Sequence, residues 1–175
     1  MIDENGVYIG SLEVQGALEL NHTQLKELPS GLVVDGNLWV KDTQLKELPS
    51  GLVVHGALDA SNTPLKELPS GLEVYGYLDV AYTQIEKLPD DLKVYGSLWV
   101  KDTQLKELPD NLVVYGYLDA SNTPLKELPS GLEVHGDLDI SHTQIKKLPD
   151  DLKVYGSLWP SKTFHSYNGI HTQSS

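Results

Sequence analysis

The stretch from Leu88 to Glu107 reads LPDDLKVYGSLWVKDTQLKE, and almost every other part of the chain is a variant of it at a period of 20 residues. Copies follow one another from about Tyr8 to Lys162 without an inserted or missing residue. With Leu88 as position 1, the shared template is L-P-x-x-L-x-V-x-G-x-L-x-V-x-x-T-x-L-x-x. So strict a repeat is typical of a solenoid, in which coils stack and equivalent positions form columns.

Within the template, the apolar residues at positions 5, 7, 11 and 13 alternate with polar ones, which is the period of a β-strand. No run has the spacing of three and four that a helix requires, so we expect an all-β chain with essentially no helix. Glycine at position 9 falls on the inward phase, where a missing Cβ permits a sharp bend or a bulge. We therefore expect each coil to turn a corner at this column, which comprises Gly16, Gly36, Gly56, Gly76, Gly96, Gly116, Gly136 and Gly156.

After position 13 the alternation stops, and residue pairs such as Lys101-Asp102 have the chemistry of a turn. Threonine follows at position 16, and we expect its hydroxyl to point inward and bond a backbone group that the turn leaves free. The Leu-x-x-Leu-Pro segment then returns the chain to the core. The threonine column comprises Thr23, Thr43, Thr63, Thr83, Thr103, Thr123, Thr143 and Thr163.

The half-unit from Leu98 to Pro109, L-x-V-x-x-T-x-L-x-x-L-P, resembles the leucine-rich repeat signature L-x-L-x-x-N-x-L-x-x-L-P. Its length and its Leu-Pro resemble the short bacterial class of that family. It departs from the family in having threonine for asparagine, and Val at 7 with Gly at 9 for a leucine at 8. The expected fold is a right-handed parallel β-solenoid of about eight coils with one or two parallel sheets, and the resemblance implies that the chain binds other proteins.

The chain is expected to divide into a polar cap at residues 1–7, a solenoid at 8–163, and a lid and flexible tail at 164–175. Pro160 and His165 replace inward apolar residues, so the repeat ends there, and Phe164 would cover the exposed core. The N-terminus lacks the basic and apolar regions of a secretory signal, and no stretch has the length of a membrane span. These features favour a cytoplasmic protein without a membrane partner, and the resemblance to the short leucine-rich repeats implies a bacterial or phage type.

The charge is strongly acidic, with 13 basic and 25 acidic residues and a net charge of −12. Such a surface argues against direct binding of nucleic acid, whose phosphates attract a basic surface. It leaves open an alternative function, in which an acidic rod mimics nucleic acid and occupies a basic channel of another protein. The chain has no cysteine, which excludes disulfides and thiolate metal sites.

Two surface columns carry most of the aromatic residues. Position 8 is largely tyrosine and histidine. Position 12 has tryptophan in every third coil and aspartate in the two coils between, and position 10 adds two tyrosines. Stacked rings can simply support in-register pairing of strands. They can also anchor a partner, so we predict that the sheet bearing the tryptophans is a protein-binding face. The predicted contact residues are Trp39, Trp99, Trp159, Tyr75, Tyr95, Tyr115, Tyr155, Tyr77, Tyr117, Asp59, Asp79, Asp119 and Asp139.

No residue set indicates an enzyme or a cofactor. The aspartate pairs of position 12 could bind Ca²⁺ or act in catalysis, but solvated like charges are the simpler interpretation. Histidines of one column lie four or six coils apart, too far to share a metal. Two alternatives remain: ice binding by an outward threonine array, and self-assembly through the aromatic face or the coil ends.

Overall fold

The computed structural model describes residues 1–160, and these form a parallel β-solenoid of two sheets with no helix in that range. Each coil contributes one two-residue strand to each sheet, so each sheet has eight strands. We call the sheet of odd-numbered strands sheet A and the sheet of even-numbered strands sheet B. Sheet A comprises β1 (Glu13–Val14), β3 (Val33–Val34), β5 (Val53–Val54), β7 (Glu73–Val74), β9 (Lys93–Val94), β11 (Val113–Val114), β13 (Glu133–Val134) and β15 (Lys153–Val154). Sheet B comprises β2 (Leu18–Glu19), β4 (Leu38–Trp39), β6 (Leu58–Asp59), β8 (Leu78–Asp79), β10 (Leu98–Trp99), β12 (Leu118–Asp119), β14 (Leu138–Asp139) and β16 (Leu158–Trp159).

Neighbouring strands pair at a sequence offset of 20 throughout both sheets. Val54 pairs with Val74 in sheet A, and Leu58 pairs with Leu78 in sheet B. The predicted all-β solenoid of stacked 20-residue coils is therefore confirmed. The number of sheets, which the sequence left open, is two.

The core consists of the leucine and valine columns of the template. The leucines at position 11 from Leu38 to Leu138 have no exposed surface, and most valines at position 7 have none either. The threonines from Thr43 to Thr143 lie beside this core and are at most 5% exposed. Each donates its hydroxyl to the carbonyl three residues earlier, as Thr103 does to Val100 at 2.7 Å. The inward position expected for the threonines is confirmed, and the outward array that ice binding requires does not exist at these residues.

The glycine column forms the corner between the two sheets, as predicted, since the chain bends at positions 8 and 9. The reason for glycine is the close stacking of successive coils. A Cβ built on Gly96 would lie 2.7 Å from the carbonyl carbon and oxygen of Gly76. The Gly76 amide in turn donates to the Gly56 carbonyl at 2.8 Å. A side chain of any size would therefore force the backbones apart.

The turn after sheet B adopts a left-handed backbone at position 15. Asp102, for example, has a φ of 54°, and Tyr82 has a φ of 57°. Asparagine and aspartate tolerate this conformation better than a bulky side chain does. The same region holds His22, Asp42, Asn62, Asn122 and His142 at this position.

The first residues close the N-terminal end of the described coils. Ile2 forms an antiparallel bridge with Tyr8, and Asp3 Oδ1 accepts hydrogen bonds from the amides of Asn5 and Val7 at 2.9 Å. The Tyr8 amide donates to the Glu27 carbonyl at 3.0 Å, which joins this segment to the next coil. The predicted lid at Phe164 and the predicted tail lie outside the described residues. Within residues 1–160, no helix is long and apolar enough to cross a membrane.

Candidate functional site

Sheet B presents all three tryptophans of the chain on its outer face. They lie in one column with the aspartates, in register, so that two aspartates separate each tryptophan from the next. Trp39 and Trp99 are half-buried, and Trp159 is 46% exposed. We call this column, together with Tyr77 and Tyr117, the Trp–Asp strip. Its order along the solenoid is Trp39, Asp59, Asp79, Trp99, Asp119, Asp139 and Trp159.

The two tyrosines of position 10 pack against tryptophans of later coils. The Tyr77 ring meets the Trp99 ring edge to face, with centroids 5.0 Å apart. The Tyr117 ring meets Trp159 in the same manner at 6.1 Å, and its hydroxyl lies 3.5 Å from Asp139 Oδ2. Partial burial and the charges of Asp119 and Asp139 raise the pKa of Tyr117 well above its ordinary value. Its hydroxyl therefore remains a hydrogen-bond donor at any physiological pH.

The rings of position 8 form a second group on the other side of the glycine corner. We call this group the ring ladder, and its members follow the strands of sheet A. Tyr75 and Tyr95 stack with centroids 5.0 Å apart, and Tyr115 stacks on Tyr95 at 6.0 Å. No ring contact within residues 1–160 joins the ladder to the strip. The full ladder is His55, Tyr75, Tyr95, Tyr115, His135 and Tyr155.

Polar groups of sheet A hold parts of the ladder in place. The Tyr95 hydroxyl donates to Glu73 Oε1 at 2.9 Å, and this hydrogen bond raises the pKa of Tyr95. His135 Nε2 lies 3.0 Å from Glu133 Oε1. Much of the ladder's interaction is thus within the ladder and its own sheet, as expected for rings that support strand pairing. The predicted contact residues consequently form two surfaces, where the sequence suggested one.

Each aspartate of the strip has a local structural role that the sequence reasoning missed. Asp59 Oδ1 accepts hydrogen bonds from the Ser61 amide at 3.0 Å and the Ser61 hydroxyl at 2.6 Å. Asp79 Oδ1 accepts one from the Ala81 amide at 2.9 Å. These bonds fix the start of the turn after sheet B. The sequence does contain a signal for these bonds, since three of the four aspartates begin an Asp-x-Ser motif. The tryptophans Trp39 and Trp99 have lysine instead at position 14.

The carboxylates of the strip repel one another. Asp59 and Asp79 are adjacent in register. Burial raises the pKa of Asp79 and the charge of Asp59 raises it further, whereas the hydrogen bond from the Ala81 amide and the charges of Lys101 and Lys41 lower it. The net effect is a raised pKa, so the surroundings of Asp79 disfavour its charged form. No group of three or more metal-ligating side chains occurs in residues 1–160.

The 20-residue coils, their L-x-V-x-x-T-x-L-x-x-L-P motif and the stacked parallel strands define a repeat protein. The fold is a parallel β-solenoid of two sheets. No protein-family model matches the chain, and no curated protein sequence matches it. Among solved structures, the chain is similar to YopM from Yersinia enterocolitica WA-314, with 20% sequence identity and a TM-score of 0.35. The match covers 83% of this chain and 46% of YopM, so the chain spans less than half the length of that protein.

Proposed function

We propose that this solenoid is a non-enzymatic protein-binding module and that the Trp–Asp strip is its principal contact surface. The proposal rests on one observation: the three tryptophans project at intervals of three coils from the outer face of one sheet. Partly exposed tryptophan and tyrosine are the residues that most often dominate the binding energy of protein interfaces. A repeat solenoid of the leucine-rich-repeat-like class is suited to protein interaction in general.

The strip offers anchors whose conformations are already restricted. Tyr77 packs on Trp99 and Tyr117 packs on Trp159, so their rings lose little rotamer freedom when a partner binds. The two-sheet core beneath them is fully buried and in register, which keeps the spacing of the anchors constant. The ring ladder is the second part of the proposed surface, on the neighbouring face.

Capture from a lysate of the native host by the immobilised full chain tests this function. Trp99→Ala should abolish retention of the principal bound protein. Tyr82→Ala is the control because it also removes an aromatic ring from the surface, but from the turn outside the strip, where Tyr82 is 54% exposed. The double variant Tyr95→Ala with Tyr115→Ala reports how much the ring ladder contributes to retention of the bound protein. Thermal unfolding of each variant establishes that the fold is intact.

Retention by Trp99→Ala and by the ladder variant at the level of the native chain would contradict the proposal. A nucleic-acid mimic would behave differently, since its retention should fall steeply with salt and should not depend on Trp99.

A further inference from the structure

We propose that the Trp–Asp strip binds an extended peptide segment whose Lys or Arg side chains are about four residues apart, lying along the direction in which the coils stack. This inference rests on the proposed function and specifies the partner of the same surface. It follows from the order of aromatic and acidic residues, from their spacing, and from the charge of the strip.

The strip contains two acidic stations with the same order of residues, although Asp119 of the second station is only 6% exposed. Asp59 and Asp79 lie between Trp39 and Trp99, and the second pair lies between Trp99 and Trp159. The second pair is Asp119 and Asp139. Both stations are thus flanked by tryptophan on either side, which is the combination that a guanidinium or ammonium group prefers.

The spacing of the stations matches an extended peptide. Equivalent residues of the two stations are three coils apart, and stacked strands are about 4.8 Å apart, which gives about 14 Å. An extended chain rises about 3.3 Å per residue, so four residues cover nearly the same distance. Side chains of a strand alternate between its two sides, so residues four apart face the same way. Two basic side chains at that interval can reach both stations together.

The carboxylates retain acceptor capacity for such a ligand. Asp59 and Asp79 use Oδ1 for the local bonds to their own coils, and the second oxygen of each accepts no hydrogen bond within residues 1–160. At the second station, Asp139 Oδ2 accepts only the long hydrogen bond of 3.5 Å from the Tyr117 hydroxyl, which a cationic donor can replace. Burial and the neighbouring charge of Asp59 already disfavour the charged form of Asp79, as its raised pKa shows. A bound cation would relieve both effects. An apolar partner would instead desolvate the two carboxylates without compensation.

The tryptophans supply the second half of the recognition. The stem of a lysine or arginine side chain can lie on an indole while the charged head reaches the neighbouring carboxylate. Trp99 serves both stations because it is in register with Asp79 on one side and with Asp119 on the other. It is therefore the central residue of the proposed contact.

Intrinsic fluorescence of the full chain tests the inference directly, since all three tryptophans belong to the strip. The probe is a synthetic glycine–serine peptide with two arginines four residues apart. The control peptides have glutamine in place of both arginines, or the second arginine moved by one residue to the opposite side. We expect the first peptide to change the fluorescence at low salt and to bind about tenfold more tightly than either control.

The variant Asp79→Asn with Asp139→Asn removes one charge from each station. Asparagine keeps the Oδ1 acceptor that the amides of Ala81 and Ser141 require, so the local turns are preserved. The matched control is Asp90→Asn with Asp110→Asn, which makes the same change of net charge at exposed residues outside the strip. The strip variant should weaken peptide binding about tenfold, and the control variant should weaken it less than twofold.

Equal binding of the arginine peptide by the strip variant and the native chain would overturn the inference, as would no binding by either. The capture assay separates this failure from that of the proposed function. A captured protein that depends on Trp99 but not on the Asp79 and Asp139 charges would leave the binding module intact and refute the basic segment. If neither substitution alters capture, both proposals fail.

Discussion

Replacement of Gly96 by alanine should destabilise the solenoid strongly, although it adds only one methyl group. The new Cβ would lie 2.7 Å from the carbonyl carbon and oxygen of Gly76 and 2.9 Å from the Tyr77 amide nitrogen. All three atoms belong to the backbone of the preceding coil. No side chain can move aside, so the two coils must separate locally.

The loss in free energy of unfolding follows from the backbone hydrogen bonds between successive coils. A separation of about 1 Å would lengthen inter-coil bonds such as that from the Tyr95 amide to the Val74 carbonyl, now 3.0 Å, beyond hydrogen-bonding range. Loss of one or two such bonds costs about 1 kcal/mol each, and residual overpacking adds about 1–3 kcal/mol. We therefore expect a loss of about 3 kcal/mol. For a chain of this size, that corresponds to a fall in Tm of about 6–12 °C.

Gly71→Ala is the matched control for this experiment. Gly71 has a φ of 73°, but the nearest atom to its added Cβ is 4.0 Å away. Backbone strain alone should cost about 1 kcal/mol there. Calorimetry of both variants at one scan rate measures the difference. A fall in Tm for Gly96→Ala no larger than that for Gly71→Ala would refute the argument that coil contact requires glycine.

Three further changes test other parts of the structure. Thr103→Val removes the hydroxyl that donates to the Val100 carbonyl and should cost about 1–2 kcal/mol in urea unfolding; an unchanged midpoint would mean that the threonine column is dispensable. Tyr82→Asn should raise stability by up to about 1 kcal/mol because asparagine tolerates a φ of 57°, even though the contact with Lys101 is lost, and a lower Tm would contradict this. The raised pKa of Asp79 means that the folded state keeps its proton above the ordinary value of 3.8, so this group lowers stability as pH rises between the two values. Asp79→Asn should therefore raise Tm at pH 7 and have little effect below pH 3; the opposite pattern would exclude the assigned cause.

The fold followed from the sequence because the period and the alternation are independent signals that agree. A strict offset of 20 fixes which residues become neighbours, as with Leu58 and Leu78. The period of two at positions 5–7 and 11–13 fixes which side chains enter the core. The number of sheets could not be obtained in this way, because alternation continues through Gly96 whether or not the chain bends there. The pairing of the strands shows that the bend at the glycines separates two sheets.

The candidate site was predicted less completely than the fold. Positions 8 and 12 both point outward by alternation, so Tyr95 and Trp99 were both predicted to contact a partner, and the sequence left open whether they share a sheet. The corner between them assigns these residues to different sheets, and their ring contacts remain separate within residues 1–160. The structural role of Asp59 was also missed because like charges in a column suggested only solvation. Its bonds to Ser61 depend on turn geometry that a column pattern does not describe.

The surface pattern has a longer period than the core, and this difference bears on what the strip can recognise. Every coil has leucine at position 11, but position 12 accepts tryptophan, with lysine two residues later in the coils of Trp39 and Trp99, or aspartate, with serine or alanine two residues later. Both forms satisfy the coil, so the core does not dictate which one appears. The Trp-Asp-Asp order nevertheless recurs at 60 residues, from Trp39 to Asp79 and again from Trp99 to Asp139, and these stretches include the identical segments 58–74 and 118–134. Duplication of three coils thus copied an acidic station together with its tryptophan. Two stations on one rigid rod make the second contact of a partner intramolecular, so even weak stations can give appreciable binding when the partner carries the matching interval.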